Sequence, residues 1–442
     1  MEINLKKGFD LRLAGAVPPG SKPRAVAARV VAIVPDDFPG LSPKLEVKEG
    51  DQVMRGQALL RDKAFEYLKV ASPAAGTVKS VVRGARRKIE RVVVEVAADK
   101  PQAFDTKATD RASALSLLCA SGMLARMRQR PYDIVPRPDR VPRDIFVTAI
   151  DSAPLAPSLA SLVQGKSKEL AAAAKLLSLV TDGKVYVTVG ADWTLGDIAG
   201  AQMVKAQGKH PVGNVGVQIA NIAPVNKGET VWGLDVVTMA KIGSLVLTGQ
   251  VDTTANVAIT GSEAKDPCMV LTTEGVALAE LLKGELPGDD KHVRIISGNV
   301  LTGVAEKEDS FLRFPYRQVT IIPEGDDADE FMGWASLSPN KMSASHSFLS
   351  FGKKLFKPDA RILGGRRAMI MSGQYDKMIP MDIMAEYLIK AILAKDIDQM
   401  EKLGIYEVAP EDFALAEWAD TSKIPLQQIV RDGLDYLRKE LE

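Results

Sequence analysis

The spacing of apolar and polar positions changes several times along the chain. Residues 1–25 hold no sustained period, and Pro18, Pro19, Gly20 and Pro23 mark them as an irregular lead-in. From Ala27 to Glu95 short apolar steps alternate with turns. Arg29–Val34 is a β-branched run, Val47–Leu60 turns at Gly50 and Gly56, and Lys69–Val82 and Lys88–Val96 follow. Strand and turn spacing of this kind predicts a small β sandwich or barrel over residues 26–100.

The period then lengthens. Ala112, Leu115, Leu118 and Met123 recur at helical spacing and predict a helix ending near Gly122. Arg126, Arg128 and Arg130 leave it through a basic turn before Pro131. Strands and helices alternate next: strand Asp144–Ile150, helix Ser167–Thr181, strand Lys184–Val189, helix Asp192–Gln207, strand Val215–Ile222, helix Leu234–Ile242. This alternation predicts βαβ units and an α/β sheet over residues 101–255. Residues 256–330 turn β-rich again, with strands at 257–261, 269–273, 292–298 and 317–323 around a short helix Val276–Lys283. That is a β-grasp order. Residues 331–442 comprise a Ser-, Lys- and Phe-rich stretch, 332–358, and helical periods at Met384–Lys395 and Leu426–Leu441. The chain reads as a multidomain α/β and α+β protein with a helical C-terminus.

Composition narrows the chemistry. Lys+Arg is 57 and Asp+Glu is 56, a formal net charge of +1. No basic excess exists to hold a nucleic acid backbone. Two cysteines, Cys119 and Cys268, cannot supply a four-thiolate iron–sulfur cluster. With His210, His292 and His346 they fall at no zinc-ligand spacing, so no metal site is expected. Asp10 and Arg12 interrupt any signal-peptide core, and no window reaches the ~18 uncharged apolar residues of a membrane span. The expectation is a cytosolic or peripheral chain whose membrane role comes through partners.

Three segments carry a family likeness. The opening KKGFDLRLAGAV, the stretch RMRQRPYDIVP with IFVTAIDSAPLAP, and GKHPVGNVGVQIANIAPVNKGETVWGLDVVTMAKIG occur in this order. Together the chain resembles the A subunit of the sodium-translocating NADH:quinone oxidoreductase of bacteria, over nearly its whole length. That family is related to the NADH-oxidising flavoprotein subunit of complex I and to the C subunit of the Rnf complex. The resemblance implies a barrel-sandwich hybrid domain of lipoyl/biotinyl type, a Rossmann-like α/β domain, a β-grasp domain of the soluble-ligand-binding type and a helical end. It implies five partner subunits, which carry the flavins and the iron–sulfur cluster, and a place on the cytoplasmic face of the bacterial inner membrane.

Local motifs refine this frame. GDQVMRGQALLRDKA followed by SPAAGTV has the form of a lipoyl or biotinyl carrier, with Lys63 as acceptor. The arm between Gly50 and Lys63 is short, and Phe65–Tyr67 add bulk where a carrier presents its swinging lysine. Structural use of the fold is therefore favoured and Lys63 is rejected as a carrier lysine. The complex I relatives hold flavin phosphate with a run of glycines after the first helix of the α/β domain, because backbone N–H groups must close on it without a Cβ in the way. Here SGMLARMRQRP offers Gly122 alone, so no flavin or other cofactor is expected in this chain. The three arginines read as a solvated or partner-facing surface.

GKHPVGNVG places His210 among Gly208, Gly213 and Gly216. A turn into a strand is the plain reading, yet an imidazole can donate to a quinone carbonyl. His210, Gly213 and Gly216 are the candidate quinone contacts; no catalytic residue is expected. Phe348, Phe351 and Phe356 beside Lys353 and Lys354 are a candidate docking segment for a membrane partner or lipid headgroups, with packing on its own domain favoured. The expected function is a cofactor-free component of the sodium-pumping NADH:ubiquinone reductase, a scaffold with ubiquinone as a candidate bound substrate. A lipoyl- or biotin-type carrier and a soluble NADH-dependent flavoprotein are the alternatives.

Overall fold

A computed structural model describes the chain except residues 289, 290, 327, 329, 330, 336, 337, 339, 340, 345–347, 349, 351 and 353. The lead-in is not irregular throughout. Strand β1 (Glu2–Asn4) runs parallel to a strand 203 residues away, Glu2 facing Lys205, and β2 (Arg24–Ala25) pairs with a third sheet, Arg24 facing Val270. Strands of two or three residues have too few positions to show a period, and their partners are remote in sequence.

The barrel predicted for the first hundred residues forms. Strands β3 (Val30–Ile33), β5 (Gln52–Val53), β8 (Gly76–Arg83) and β9 (Ile89–Val96) make one sheet, and β4 (Pro43–Leu45), β6 (Ala58–Asp62) and β7 (Lys69–Ala71) make a smaller one. Alternate residues Val31, Ile33, Leu60, Val70, Val92 and Val94 close a core between them. That core continues into Leu118, Met123 and Leu124 of the next region, so the barrel is seated on its neighbour.

Helix α1 (Arg111–Ala120) opens with a capping box: Asp110 accepts from the Ser113 N–H at 2.8 Å, and the Ser113 hydroxyl reaches back. Then follow β10 (Arg128–Arg130), β11 (Ile145–Thr148), α2 (Leu159–Leu162), α3 (Ser167–Val180), β12 (Val185–Val189), β13 (Gln202–Gln207), α4 (Val215–Ile222), β14 (Val231–Asp235) and α5 (Val236–Thr248). The sheet order is β1-β13-β12-β11-β14-β10, parallel except for β10. Period-two alternation in β11 sorts the helices. Ile145 and Val147 face α1, α3 and α5, whereas Phe146 meets Ile219 of α4 on the other face. The chain crosses from β11 to β12 in one direction and returns to β14 on the other side, so the crossovers diverge between β11 and β14.

Three expectations here are corrected. Residues 192–207 are not a helix: a loop leads into β13, where Val204 and Ala206 are buried and Lys205 and Gln207 exposed, a period of two. Val215–Ile222 is not a strand but α4. Its run of buried residues, Gly216 to Ile219, is of the kind periodicity cannot assign between a buried strand and a buried helix. Leu234 belongs to β14, and α5 starts one residue after Asp235, whose carboxylate caps it by accepting the N–H groups of Val237 and Thr238, both at 2.9 Å.

The third sheet contains β15 (Thr254–Thr260), β16 (Cys268–Thr273), β17 (Val293–Ser297), β18 (Val304–Glu306) and β19 (Gln318–Pro323), in the order β18-β17-β19-β15-β16-β2. The short helix α6 (Leu278–Leu281) buries Leu278 and Leu281 against it. The predicted strands and helix are all present, and β18 is additional. The helical end holds α7 (Tyr375–Met378), α8 (Ala385–Ala394), α9 (Ile397–Lys402), α10 (Ala414–Ala419) and α11 (Leu426–Leu441). Leu426, Val430, Leu434 and Leu437 recur at helical spacing and bury one face of α11. Leu11 and Leu13 of the lead-in and Tyr132 and Val217 of the α/β region complete that core.

No helix among the described residues is long and apolar enough to cross a membrane. The candidate docking segment is partly described. Phe351 and Lys353 lie outside the described residues, and Phe356 is not available to a partner. It is 2% exposed, with its N–H on the Arg12 carbonyl and its own carbonyl taking the Ala14 N–H, both at 2.8 Å.

Candidate functional site

A cleft of about 400 Å³ opens at the carboxyl ends of β11 and β14, where the crossovers diverge. Open α/β sheets take their ligands at such a point. Thr148 and Asp151 line it from the end of β11, His210 and Asn214 from the turn before α4, and Asp235 from the end of β14. The third sheet contributes Asn299 and the stretch from Phe314 to Gln318, and the helical end contributes Glu411 and Gln427.

The GKHPVGNVG turn is held at both ends. On one side the lead-in grips it: Phe9 N–H donates to the His210 carbonyl and His210 N–H donates to Asp10 Oδ1, both at 2.9 Å. On the other side Gly213 N–H donates to Ser152 Oγ at 2.9 Å, and that oxygen lies 3.0 Å from His210 Nδ1. Gly213 is needed for this closure, since a Cβ there would stand 2.6 Å from Ser152 N. His210 is only 4% exposed, and burial lowers its pKa to about 4, so the ring is neutral at pH 7. When the Ser152 hydroxyl donates to Nδ1, the ring proton sits on Nε2. Nε2 is buried without a hydrogen-bond partner among the described residues.

The structure therefore brings His210 and Gly213 to the cleft but not Gly216. A Cβ on Gly216 would stand 2.5 Å from both Arg130 Nη2 and Asp412 Oδ2, so its glycine admits a buried ion pair to the first turn of α4. Two of the three arginines, Arg130 and Arg126, are buried in ion pairs and correct the reading of a solvated or partner-facing surface. Arg130 is 2% exposed and donates to Asp412 Oδ2 and to the Glu407 carbonyl, each at 2.8 Å. Arg126 grips Glu274 through two bonds of 2.6 and 2.5 Å, and Lys241 reaches the same carboxylate. Burial pushes the Glu274 pKa up, but the two cations outweigh it and hold it at about 2. Arg128 is half-buried on the cleft and donates to the carbonyls of Met127 and Asp37, with no ion-pair partner among the described residues. The carboxylates that bury these arginines lie 148 and 282 positions away, out of reach of a local reading.

Two carboxyls of the cleft escaped the sequence reading. Glu411 has its pKa raised to about 8 by burial and by the neighbouring Asp412, against the pull of Arg130. Asp151 keeps an exposed surface; desolvation by the surrounding protein raises its pKa, with the Ala153 N–H opposing. Asp235 feels the same desolvation, yet Arg317 and the bonds from Thr238 keep it below the usual carboxylate range. The only visible signal for Glu411 is the paired carboxylate of APEDF after Pro410, which is commonplace at a helix start.

The residues present do not fit a flavin phosphate. Gly122 packs against Ala71 of the barrel rather than facing the cleft, with a Cβ position 3.0 Å from Ala71 N. Arg126 and Arg130 are already committed to carboxylates. No group of three or more metal-ligating side chains is present among the described residues. Lys63 is exposed, but its turn is pinned. Asp62 is buried and accepts from Ala64 and Phe65 N–H at 2.7 and 2.9 Å, and the Phe65 ring packs under Arg137 at 5.7 Å. Cys119 is fully buried, and burial raises its thiol to about 12.

Fold and cleft define a multidomain α/β protein in which a small β barrel precedes a cleft-bearing parallel sheet. Family models match it in the same order: the NqrA N-terminal barrel-sandwich hybrid domain over residues 3–97, the NqrA second alpha/beta domain over 109–251 and the NQRA C-terminal domain over 256–307. The A subunit of the Na(+)-translocating NADH-quinone reductase of Vibrio anguillarum is 35% identical over 99% of this chain and 100% of its own. That of Rhodopirellula baltica is 34% identical over 99% and 98%. The chain belongs to this family, the A subunits of the Na(+)-translocating NADH-quinone reductase. Among solved structures, NAD+-reducing [NiFe]-hydrogenase in the air-oxidized state aligns over 49% of this chain and 47% of its own, with a TM-score of 0.35 and 12% identity.

Proposed function

We propose that this chain serves as the peripheral, cofactor-free A subunit of a sodium-translocating NADH:ubiquinone reductase, on the cytoplasmic face of the membrane, and that its cleft takes the ubiquinone headgroup. We further infer that the parallel sheet is Rossmann-like and the third sheet of β-grasp type. Full-length kinship to chains of that name supports the assembly. The observation that carries the quinone reading is His210 Nε2, a buried polar atom with no partner among the described residues, on a residue lining a cleft at the crossover point. A quinone headgroup is flat, largely apolar and bears acceptors only, so it asks for an orienting donor in a confined space. Ile150, Leu159, Phe314 and Pro315 provide apolar lining.

The walls of the cleft come from the α/β sheet, the third sheet and the helical end, which supports a scaffolding role for the chain beside partner subunits. The test is equilibrium binding of ubiquinone-1 and of FMN to the purified full chain by calorimetry. Saturable quinone binding without FMN binding is the expected result. Micromolar FMN binding overturns the cofactor-free assignment. Absence of quinone binding leaves this chain as a scaffold alone.

A further inference from the structure

Large apolar and aromatic side chains left in solvent are concentrated in one part of the chain. Of the fifteen that stay exposed among the described residues, nine lie between Phe331 and Leu393. Single exposed apolar residues are ordinary, but a contiguous group marks a surface that something covers. Four of the nine are brought together by one buried carboxylate. Glu386 of α8 accepts the Gly373 N–H at 2.7 Å and the Ser372 N–H at 3.2 Å, which lays the strap ending in Ile370 and Met371 beside the first turn of α8. Met384 and Tyr387 flank Glu386 on the outer side of that helix, and all four side chains are 41–56% exposed. Helix α8 is therefore apolar on both sides. Leu388, Ile389 and Ile392 fill the core, and an outer side that met only water would be polar.

The charge beside this patch is mostly of one sign. Residues 354–371 carry five Lys and Arg against a single acid, Asp359, in a chain whose formal net charge is +1. Arg361 is paired with Asp359 at 2.6 Å. Lys354, Lys357, Arg366 and Arg367 are exposed, with no ion-pair partner among the described residues. Residues 377–395 add the exposed Lys377, Lys390 and Lys395 against one exposed acid, Asp382. The strap has no regular secondary structure over residues 365–371, and it is fastened from its inner side. Arg367 N–H donates to the Ser422 carbonyl at 2.8 Å, and the Ser422 hydroxyl donates to the Ala368 carbonyl at 3.0 Å.

We propose that this surface, Ile370 and Met371 of the strap with Met384 and Tyr387 of α8, docks on a bilayer containing anionic lipids. The apolar side chains enter the boundary between headgroups and acyl chains, and Arg366, Arg367 and Lys390 meet the lipid phosphates. Binding of this kind grows with the apolar area buried and with attraction to anionic lipid, and the patch offers both. Tyrosine suits that depth, with an apolar ring and a hydroxyl that stays wet. The irregular backbone of the strap remains in the hydrated headgroup layer, since hydrocarbon would leave its N–H and C=O groups unpaired. A second copy of this chain is the poorer occupant, because in a two-fold contact the patch meets itself and cations face cations. None of these residues lines the cleft, so the surface stands apart from the quinone reading. It gives the peripheral placement proposed above a membrane contact of its own.

The test is co-sedimentation of the purified full chain, at low salt, with vesicles of phosphatidylcholine and phosphatidylglycerol at about three to one, and with vesicles of phosphatidylcholine alone. Wild type should sediment with the anionic vesicles and not with the neutral ones. Arg366→Gln combined with Arg367→Gln should lower partitioning on the order of tenfold or more, and Ile370→Ser combined with Met371→Ser about several-fold. The barrel supplies the control. Arg86 and Arg87 of its β8–β9 hairpin are also exposed, but no large apolar side chain near them in the chain is. Arg86→Gln combined with Arg87→Gln should therefore bind as wild type does. Thermal unfolding checks that each variant is folded. Wild type that stays in the supernatant with anionic vesicles overturns the lipid assignment, and the peripheral placement then rests on partner subunits alone. A barrel variant that loses as much binding as the strap arginine variant overturns it too, and so do serine variants that bind as wild type does, since charge alone would then be acting.

Discussion

Arg130 and Asp412, 282 positions apart, form a buried ion pair of 2.8 Å that fastens the edge strand of the parallel sheet to the helical end. Removing one partner of a buried pair strands the other charge and costs about 3–5 kcal/mol. Asp412→Ala is therefore expected to lower unfolding stability by about that amount, measured by urea denaturation. A change under about 0.5 kcal/mol would mean that the pair holds nothing together.

Gly216 makes room for that pair. A methyl group at this position would stand 2.5 Å from both Arg130 and Asp412, with helix α4 behind it. Gly216→Ala is expected to destabilise by about 1–3 kcal/mol, although alanine favours helices elsewhere. Denaturant midpoints of the variant and wild type check this, and a stabilised variant would contradict it.

The pH dependence of stability has a definite sign. Glu274 has an ordinary pKa of 4.5 and about 2 in the fold. The unfolded chain binds the proton first, so stability is complete above about pH 4.5 and is lost as pH falls towards 2. His210 acts in the window above it, between its ordinary 6.5 and about 4, because it must be neutral in the fold. Glu274→Gln should flatten the lower limb while lowering stability at neutral pH, where Arg126 and Lys241 lose their shared anion. Unfolding curves from pH 7 down to about 3 measure both effects. An unchanged acid limb in the variant would rule out this assignment.

Lys63 tests the carrier alternative. Its turn is fixed by Asp62 and Phe65, so the lysine is a surface residue of a structural hairpin. The intact mass of the purified chain should equal that of the bare sequence, and Lys63→Ala should change stability by less than about 0.5 kcal/mol. An added lipoyl or biotinyl mass would restore the carrier reading.

What could be read in advance follows from the distance over which each feature is encoded. β3 and β9 of the barrel, β11, α3, β12, the β15–β16 hairpin and α11 each announce themselves by local periodicity, and their boundaries fall within a few residues of those expected, whereas β4 was not anticipated. Residues 192–222 defeated periodicity in two ways. β13 gives a period of two over only six residues, and α4 buries so many consecutive positions that its helical period is blurred. The site shows the same divide. His210 and Gly213 stand in one short motif and were visible. The partners that define the cleft were not: Ser152, Asp10 and Glu411 come from three other segments. Arg126 and Arg130 looked like part of a solvated or partner-facing turn because nothing nearby in sequence reveals Glu274 or Asp412.

The central claim is that the crossover cleft holds the quinone, and photo-crosslinking locates a ligand most directly. A short-chain ubiquinone bearing a photoreactive tail would be irradiated with the full chain and the labelled peptides identified by mass spectrometry. The account predicts labelling in the segments containing Ile150–Ser152, His210–Val215 and Pro410–Asp412, reduced by excess unlabelled ubiquinone-1. Competed labelling confined to the barrel or to the outer face of the third sheet, with none in these segments, would contradict it.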